Sequence, residues 1–318
     1  MSGRSYGGFM PRSRAVRVLV ALSARLACAG GGLAAPRVAR SADPRDAPLA
    51  APAQPRFRWR LDAPLVGAGA SLLVAGQLLD VSSRPVPPGG LDRGDIHWSF
   101  DRGVIGERST RADERSDYTR DAVLAYPLVL AFVSQPSSTR WGGTLRRSAE
   151  YGEALLLPEG ISVLLKNSID RPRPYAYLPA GERPGGARYD VTSSRAFRSM
   201  PSGHAISSFC AAGFAMTDHL ISRPDAGWLE SAAVPFAGGL FAGTTAALRV
   251  EAGQHFPSDV IAGGLIGVSS GVAVPLLHDY LGAGGRRAPR VPGRAWRRAI
   301  VSLLAGVGAG VLGAEALH

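Results

Sequence analysis

Residues 249–259 read Arg-Val-Glu-Ala-Gly-Gln-His-Phe-Pro-Ser-Asp and separate two uncharged apolar segments, 231–248 and 260–277. Segments of this length, joined by a short polar stretch, predict two long apolar helices with a tight connection. Comparable apolar segments lie at 63–79, 122–139, 154–165, 199–217 and 299–314. Alternation with the period of two that marks strands is hard to find. The sequence therefore predicts an all-α fold, with a six-helix core bundle and an additional C-terminal hydrophobic helix.

The length and composition of these segments favour a bundle embedded in a membrane. Several are 17 or 18 residues long, near the roughly 20 that cross a bilayer, and their Gly and Ala content suits close helix packing in lipid. A soluble six-helix bundle with buried helices predicts similar runs, and Glu150, Glu153 and Glu159 accompany the third segment. In a membrane such carboxylates face the bundle interior or a wet cavity.

Composition divides the chain into four regions. Residues 1–42, with arginines before an apolar run, are typical of a signal peptide or N-terminal membrane anchor. Residues 43–62 are a Pro/Ala/Arg-rich linker, 63–281 form the predicted six-helix core, and 282–318 hold a basic linker and the C-terminal helix. Two cysteines are too few for a disulfide-stapled module.

The net charge of +11 is concentrated at the two ends of the chain. A nucleic-acid binder spreads basic residues over a folded face, so we expect no nucleic-acid partner and interpret the ends as positive-inside flanks. This logic places 139–149 and 280–299 in the cytoplasm. The loops 166–200 and 249–259 then share the opposite face, which predicts a bacterial-type inner-membrane protein whose site faces the periplasm or the cell exterior. The sequence does not predict an oligomeric state.

Three short motifs lie where predicted helices begin or end. They are Lys-Asn-Ser-Ile-Asp-Arg-Pro-Arg-Pro at 166–174, Pro-Ser-Gly-His at 201–204, and the 249–259 stretch. Lys166, the only lysine among 36 basic residues, can join Arg173 and Arg249 in neutralising a phosphoryl group. Ser202 and Gly203 open a helix, where a hydroxyl and backbone N–H groups favour anions.

The histidines supply the proton-transfer and bond-making groups. His255 and Asp259 are four residues apart, a spacing that lets the carboxylate hold one ring nitrogen and frees the other as a nucleophile. His204 can act as general acid for the leaving oxygen. The sequence shows no acid-rich or Cys/His metal-ligand cluster, so we expect no metal and no cofactor. Each motif alone is ordinary, and their joint occurrence on one predicted face indicates a site.

The motifs K-x6-R-P, P-S-G-H and R-x5-H-x3-D resemble those of the type-2 phosphatidic acid phosphatase and vanadium haloperoxidase superfamily, in its membrane lipid phosphatase branch. The resemblance covers 63–281. It implies a six-helix, metal-independent phosphatase with His255 as the nucleophile that forms a phosphohistidine, Asp259 as its orienting partner and His204 as the acid. It assigns phosphate binding to Lys166, Arg173, Ser202, Gly203 and Arg249. Where the family usually has Ser before the third-motif Arg, this chain has Leu248.

The expected substrate is therefore a lipid phosphomonoester or pyrophosphate, and the expected partner is the membrane. Residues 175–200, rich in tyrosine and arginine, are expected to shape the entrance. Two alternatives stay open: a soluble periplasmic acid phosphatase of the same superfamily, and a non-catalytic lipid-binding membrane protein that retains the fold.

Overall fold

The computed structural model describes residues 58–79, 84–282 and 291–314. Over these ranges the chain forms eight α-helices, five short 3-10 turns and no β-strand. The helices are α1 Trp59–Gln77, α2 Ser99–Arg102, α3 Thr110–Val133, α4 Arg140–Ile169, α5 Gly203–Ser222, α6 Trp228–Glu251, α7 Pro257–Gly282 and α8 Gly293–Ala314. The predicted all-α class is confirmed, and each predicted apolar segment overlaps one of the seven long helices. The predicted signal peptide or anchor at 1–42 lies outside the described residues.

Helix α1 begins earlier than predicted, because the side chain of Asp62, in its own first turn, accepts a hydrogen bond from the backbone just before the helix. The Arg58 backbone N–H donates to Asp62 Oδ2 at 2.5 Å, and helical structure starts at Trp59. The last four residues of the predicted 43–62 linker are therefore helical, and the rest of that linker lies outside the described residues.

The bundle is built from closely packed helix pairs: α5 with α7, α6 with α8, and α1 with α4. Along α7, Gly263, Gly267 and Gly271 face the backbone of α5, where an added Cβ would overlap carbonyl oxygens. Such contacts let two helices approach at backbone distance. As a result the first turns of α5 and α7 lie side by side, and the Ser202 N–H donates to the Asp259 carbonyl at 3.0 Å.

Among the described residues, three helices are long and apolar enough to cross a membrane: α6, α7 and α8. Their outward faces expose large apolar side chains, including Phe236 on α6, Leu265 on α7 and Val301 on α8. The fold is therefore compatible with a membrane protein. The additional C-terminal helix is α8, which packs along α6.

Candidate active site

The three sequence motifs meet at one end of the bundle. The C-terminus of α4 carries Lys166, and a Cβ added at Gly203 on α5 would lie only 2.8 Å from Lys166 Nζ. The α6–α7 connection carries His255, whose Nδ1 lies 2.7 Å from the carbonyl oxygen of Ser199 just before α5. The structure thus brings together segments that are far apart in the sequence.

His255 is held in one tautomer by the backbone. Its ring is buried, and the Ser199 carbonyl beside Nδ1 can only accept a hydrogen bond. Nδ1 therefore carries the proton and Nε2 keeps its lone pair. This is the state that a nucleophilic imidazole requires.

Asp259 does not make the contact with His255 that its spacing predicted. Its Oδ2 lies 3.8 Å from His255 Nδ1, which is too far for a hydrogen bond. Oδ2 instead accepts from Ser199 Oγ at 2.5 Å and from the Phe256 N–H at 2.8 Å, and Oδ1 accepts from Arg171 at 2.5 Å. The carboxylate is drawn to the free N–H groups at the start of α7. It orients the ring indirectly, through Ser199.

The surroundings of His255 favour its neutral form. Burial lowers the pKa of His255 well below its ordinary value, and the positive charges of Arg173, Arg249 and Lys166 lower it further. All three predicted phosphate-binding cations thus act on this one ring. The imidazole is unprotonated at neutral pH, and an anion bound beside it would be attracted by all three side chains.

The two arginines are held rigidly by neighbouring groups. Arg173 donates through Nε to the Arg195 carbonyl at 2.9 Å and through NH1 to the Gln254 side chain. Arg249 is buried, and its NH1 donates to Asp113 and to Ser116 Oγ. Arg249 Nε is buried with no hydrogen-bond partner, so this guanidinium retains an unused donor.

Lys166 contributes a cation of altered acidity. It lies beyond the apolar part of α4, at the helix end that reaches the site. Burial and the neighbouring Arg173 together lower the pKa of Lys166 to about 8, against the opposing effect of Glu159. The charge of this side chain therefore depends on pH near the physiological range.

Ser202 and Gly203 form the start of α5. Ser202 Oγ accepts from the Ala205 N–H at 3.5 Å, so the hydroxyl caps the helix and its hydrogen stays available for donation. Gly203 is the first helical residue, and the close approach of Lys166 leaves little room there for a side chain. The predicted anion cradle is thus adjacent to the cations.

His204 follows directly and is anchored to α3. Its Nε2 lies 2.7 Å from Asp117 Oδ1 and 3.2 Å from Arg120 NH1. Asp117 also accepts from Arg188 at 2.8 Å. The predicted general acid therefore has a carboxylate partner. Burial, Arg249 and Arg120 outweigh that partner and together lower the pKa of His204 to about 3, so the ring is neutral in the free site.

Sequence reasoning missed the polar face of α3. Four polar residues recur at helical spacing on one face of this helix: Asp113, Ser116, Asp117 and Arg120. Asp113 contacts Arg249 and Arg188, and Asp117 contacts His204. The spacing of three or four residues was the available signal. Ser116 also compensates for Leu248, because its hydroxyl accepts from Arg249 at 3.1 Å while Leu248 packs in the core.

Sequence reasoning also missed a buried network next to His255. Arg171 NH2 donates to Asp101 Oδ2 at 2.8 Å, and its guanidinium carbon lies 4.4 Å from the Phe256 ring centre. Asp101, on the short helix α2, accepts from the Ser258 N–H at 3.1 Å and from Ser258 Oγ at 2.6 Å. This network fixes the start of α7 and with it the position of His255.

Comparison with known proteins agrees with these motifs. Residues 148–283 match the family model described as the PAP2 superfamily, and this segment contains all three motifs. The resemblance found in the sequence is thereby confirmed over that segment. No curated protein and no solved structure matches the chain.

The Asp101 network gives a stability prediction. Asp101→Ala leaves the largely buried Arg171 without one of its two carboxylate partners, and we expect a loss of about 3 kcal/mol in the free energy of unfolding. Asp121→Ala is the control, since that exposed side chain pairs only at the surface with Arg120 and should cost less than about 1 kcal/mol. Unfolding of the purified chain in detergent measures both. Equal losses would contradict the structural role of Asp101.

Proposed function

We propose that this chain, whose residues 148–283 are a PAP2-superfamily segment, is a membrane phosphatase that hydrolyses a lipid phosphomonoester or pyrophosphate through a phosphohistidine. Members of this superfamily are typically phosphatases. The observation that carries the proposal is His255: a buried neutral imidazole, held through Nδ1 and exposed to the charge of three cations. No metal takes part in the proposed reaction.

In the first step His255 Nε2 attacks the phosphorus atom. Lys166, Arg173 and Arg249 bind the non-bridging oxygens, and the N–H groups at the start of α5 add donors at the positive end of the helix dipole. The P–N bond forms as the P–O bond to the leaving group breaks. His204 gives its proton to the leaving oxygen. Burial and Arg249 lower the pKa of this ring in the free site, so His204 takes up that proton as the negatively charged phosphate binds beside it, with Asp117 supporting the protonated form.

In the second step water replaces the histidine. Neutral His204 takes a proton from the attacking water, the new P–O bond forms, and the P–N bond to His255 breaks. Inorganic phosphate leaves, and both histidines return to their starting states. In this cycle the protein's arginines and lysine carry the charge stabilisation throughout.

The apolar outer faces of the bundle are the reason for proposing a membrane location and a lipid substrate. Helices α6, α7 and α8 are apolar enough to span a membrane, and the distribution of basic residues in the loops favours a site on the outer side. Phosphate groups on lipids would then approach from the outer leaflet. Residues 175–200 lie beside the site through Arg188 and Arg195, and we assign the choice of headgroup to this segment.

A soluble phosphatase for small esters is the second candidate, because within the described ranges the other long helices do not meet the criteria for a span. Carbonate extraction separates the two. A protein that remains in the membrane pellet, and that prefers lipid phosphates over water-soluble esters, supports the lipid phosphatase. Release into the supernatant supports the soluble enzyme.

Trapping of the intermediate tests the nucleophile. After rapid acid-free quenching of a reaction with phosphorus-labelled substrate, we expect label on His255 in the wild-type protein. His255→Ala should lose the label and at least about a thousandfold in kcat, because the bond-forming atom is gone. His219→Ala is the matched control: this histidine is largely buried, lies near Glu230 and takes no part in the site. Label on His255→Ala equal to wild type would overturn the mechanism.

The pKa of Lys166 predicts a pH dependence. Because this pKa is lowered to about 8, kcat/KM should fall above about pH 8 as the ammonium loses its proton and its attraction for phosphate. Lys166→Arg keeps its charge at higher pH, so its alkaline limb should move upward even though the fit of the guanidinium lowers the maximum rate. Identical alkaline limbs in both proteins would assign the titration to another group.

A further inference from the structure

A second polar cluster lies inside the bundle, away from the motifs. Asp62 of α1, Glu153 of α4 and His278 of α7 are all buried, and their ligand-type atoms lie within 4.8 Å of one another. This cluster is not visible in the sequence pattern, since three single residues on three distant helices form no motif. The folded protein thus brings together possible metal ligands that are far apart in the sequence, and the expectation of no metal stays a prediction.

The ring of His278 shows how the cluster is oriented. Nε2 lies 2.9 Å from Glu153 Oε2 and 3.8 Å from Asp62 Oδ1. On the other side Nδ1 lies 3.8 Å from Glu150 Oε1. One ring nitrogen thus faces two carboxylates, and a positive charge is needed between them. Either a proton or a metal ion can supply it.

The hydrogen bonding of Asp62 favours a metal ion over a proton. Its Oδ2 accepts from the Arg58 N–H, whereas Oδ1 is buried without a hydrogen-bond partner and points into the cluster. A proton on His278 is satisfied by Glu153 alone and leaves this oxygen unpaired. A cation bound by all three side chains would satisfy it. The Nδ1 proton of a metal-bound imidazole would then face Glu150 Oε1, 3.8 Å away, which is charge-complementary without a direct hydrogen bond.

We propose that Asp62, Glu153 and His278 bind one divalent transition-metal ion of the Zn²⁺ class. One imidazole nitrogen with carboxylate oxygens is a donor set of that class. A surface cavity of about 380 Å³ is lined by Arg58, Trp59, Arg60, Leu61 and Leu281, residues that are close in sequence to Asp62 and His278.

The site is separate from the catalytic one and has a structural role. Glu153 precedes Lys166 by 13 residues on α4, and His278 follows Asp259 by 19 on α7. At 1.5 Å per residue these separations are about 20 and 28 Å. The ion would join α1 to α4 and α7 at the far end of the bundle. The proposal is independent of the phosphatase assignment.

Zinc stoichiometry of the purified full chain tests the proposal. After removal of metals and dialysis against Zn²⁺, elemental analysis should find one ion per wild-type chain and almost none in Asp62→Asn or Glu153→Gln. Both variants preserve side-chain size. Added Zn²⁺ should raise the thermal midpoint of the wild-type protein and leave that of the two variants unchanged.

Two controls make the outcome decisive. His219→Gln removes a largely buried histidine outside the cluster and should bind zinc as the wild type does. Phosphate release should be unaffected by chelator, which separates failure of this site from failure of the catalytic proposal. A folded wild-type chain that binds no zinc would show that a proton holds the cluster, and variants that bind as much zinc as wild type would show that the ion binds elsewhere. Either result would overturn the inference.

Discussion

The rest of the structure depends on one electrostatic constraint: a neutral imidazole is buried in a pocket lined by three cations. Such a pocket repels protons and attracts anions, so it keeps His255 neutral and, in the proposed reaction, would bind the phosphoryl group. The Ser199 carbonyl fixes the ring with one hydrogen bond. Because a backbone group does this, the geometry of the nucleophile is set by the way the chain enters α5.

Buried cations require compensation, and the bundle supplies it from outside the motifs. The α3 carboxylate Asp113 neutralises part of the charge of Arg249, and Asp101 does the same for Arg171. These carboxylates orient the positive groups through hydrogen bonds. Uncompensated, the same cations would destabilise the fold by mutual repulsion. The site is therefore organised as a cationic centre with an anionic surround.

The helices and the central residues of the site could be predicted from the sequence, but the residues that surround and neutralise the central cations could not. Apolar segments mark helices locally, and motif spacing places Lys166, Arg173 and His255 at helix ends. The partners of those residues are set by tertiary contacts: Asp113 reaches Arg249 across 136 residues, and Asp101 reaches Arg171 across 70. The spacing of Asp259 and His255 suggested a hydrogen bond between them, which the structure does not show. Free N–H groups at the helix start compete for the carboxylate.

The most direct measurement of the central claim is an experimental structure of the full chain with orthovanadate, which mimics phosphorus during transfer. The account predicts vanadium at bonding distance from His255 Nε2, with its oxygens contacted by Lys166, Arg173, Arg249 and the N–H groups at the start of α5. Vanadate bound elsewhere, or a ring of His255 turned away from those three cations, would contradict it.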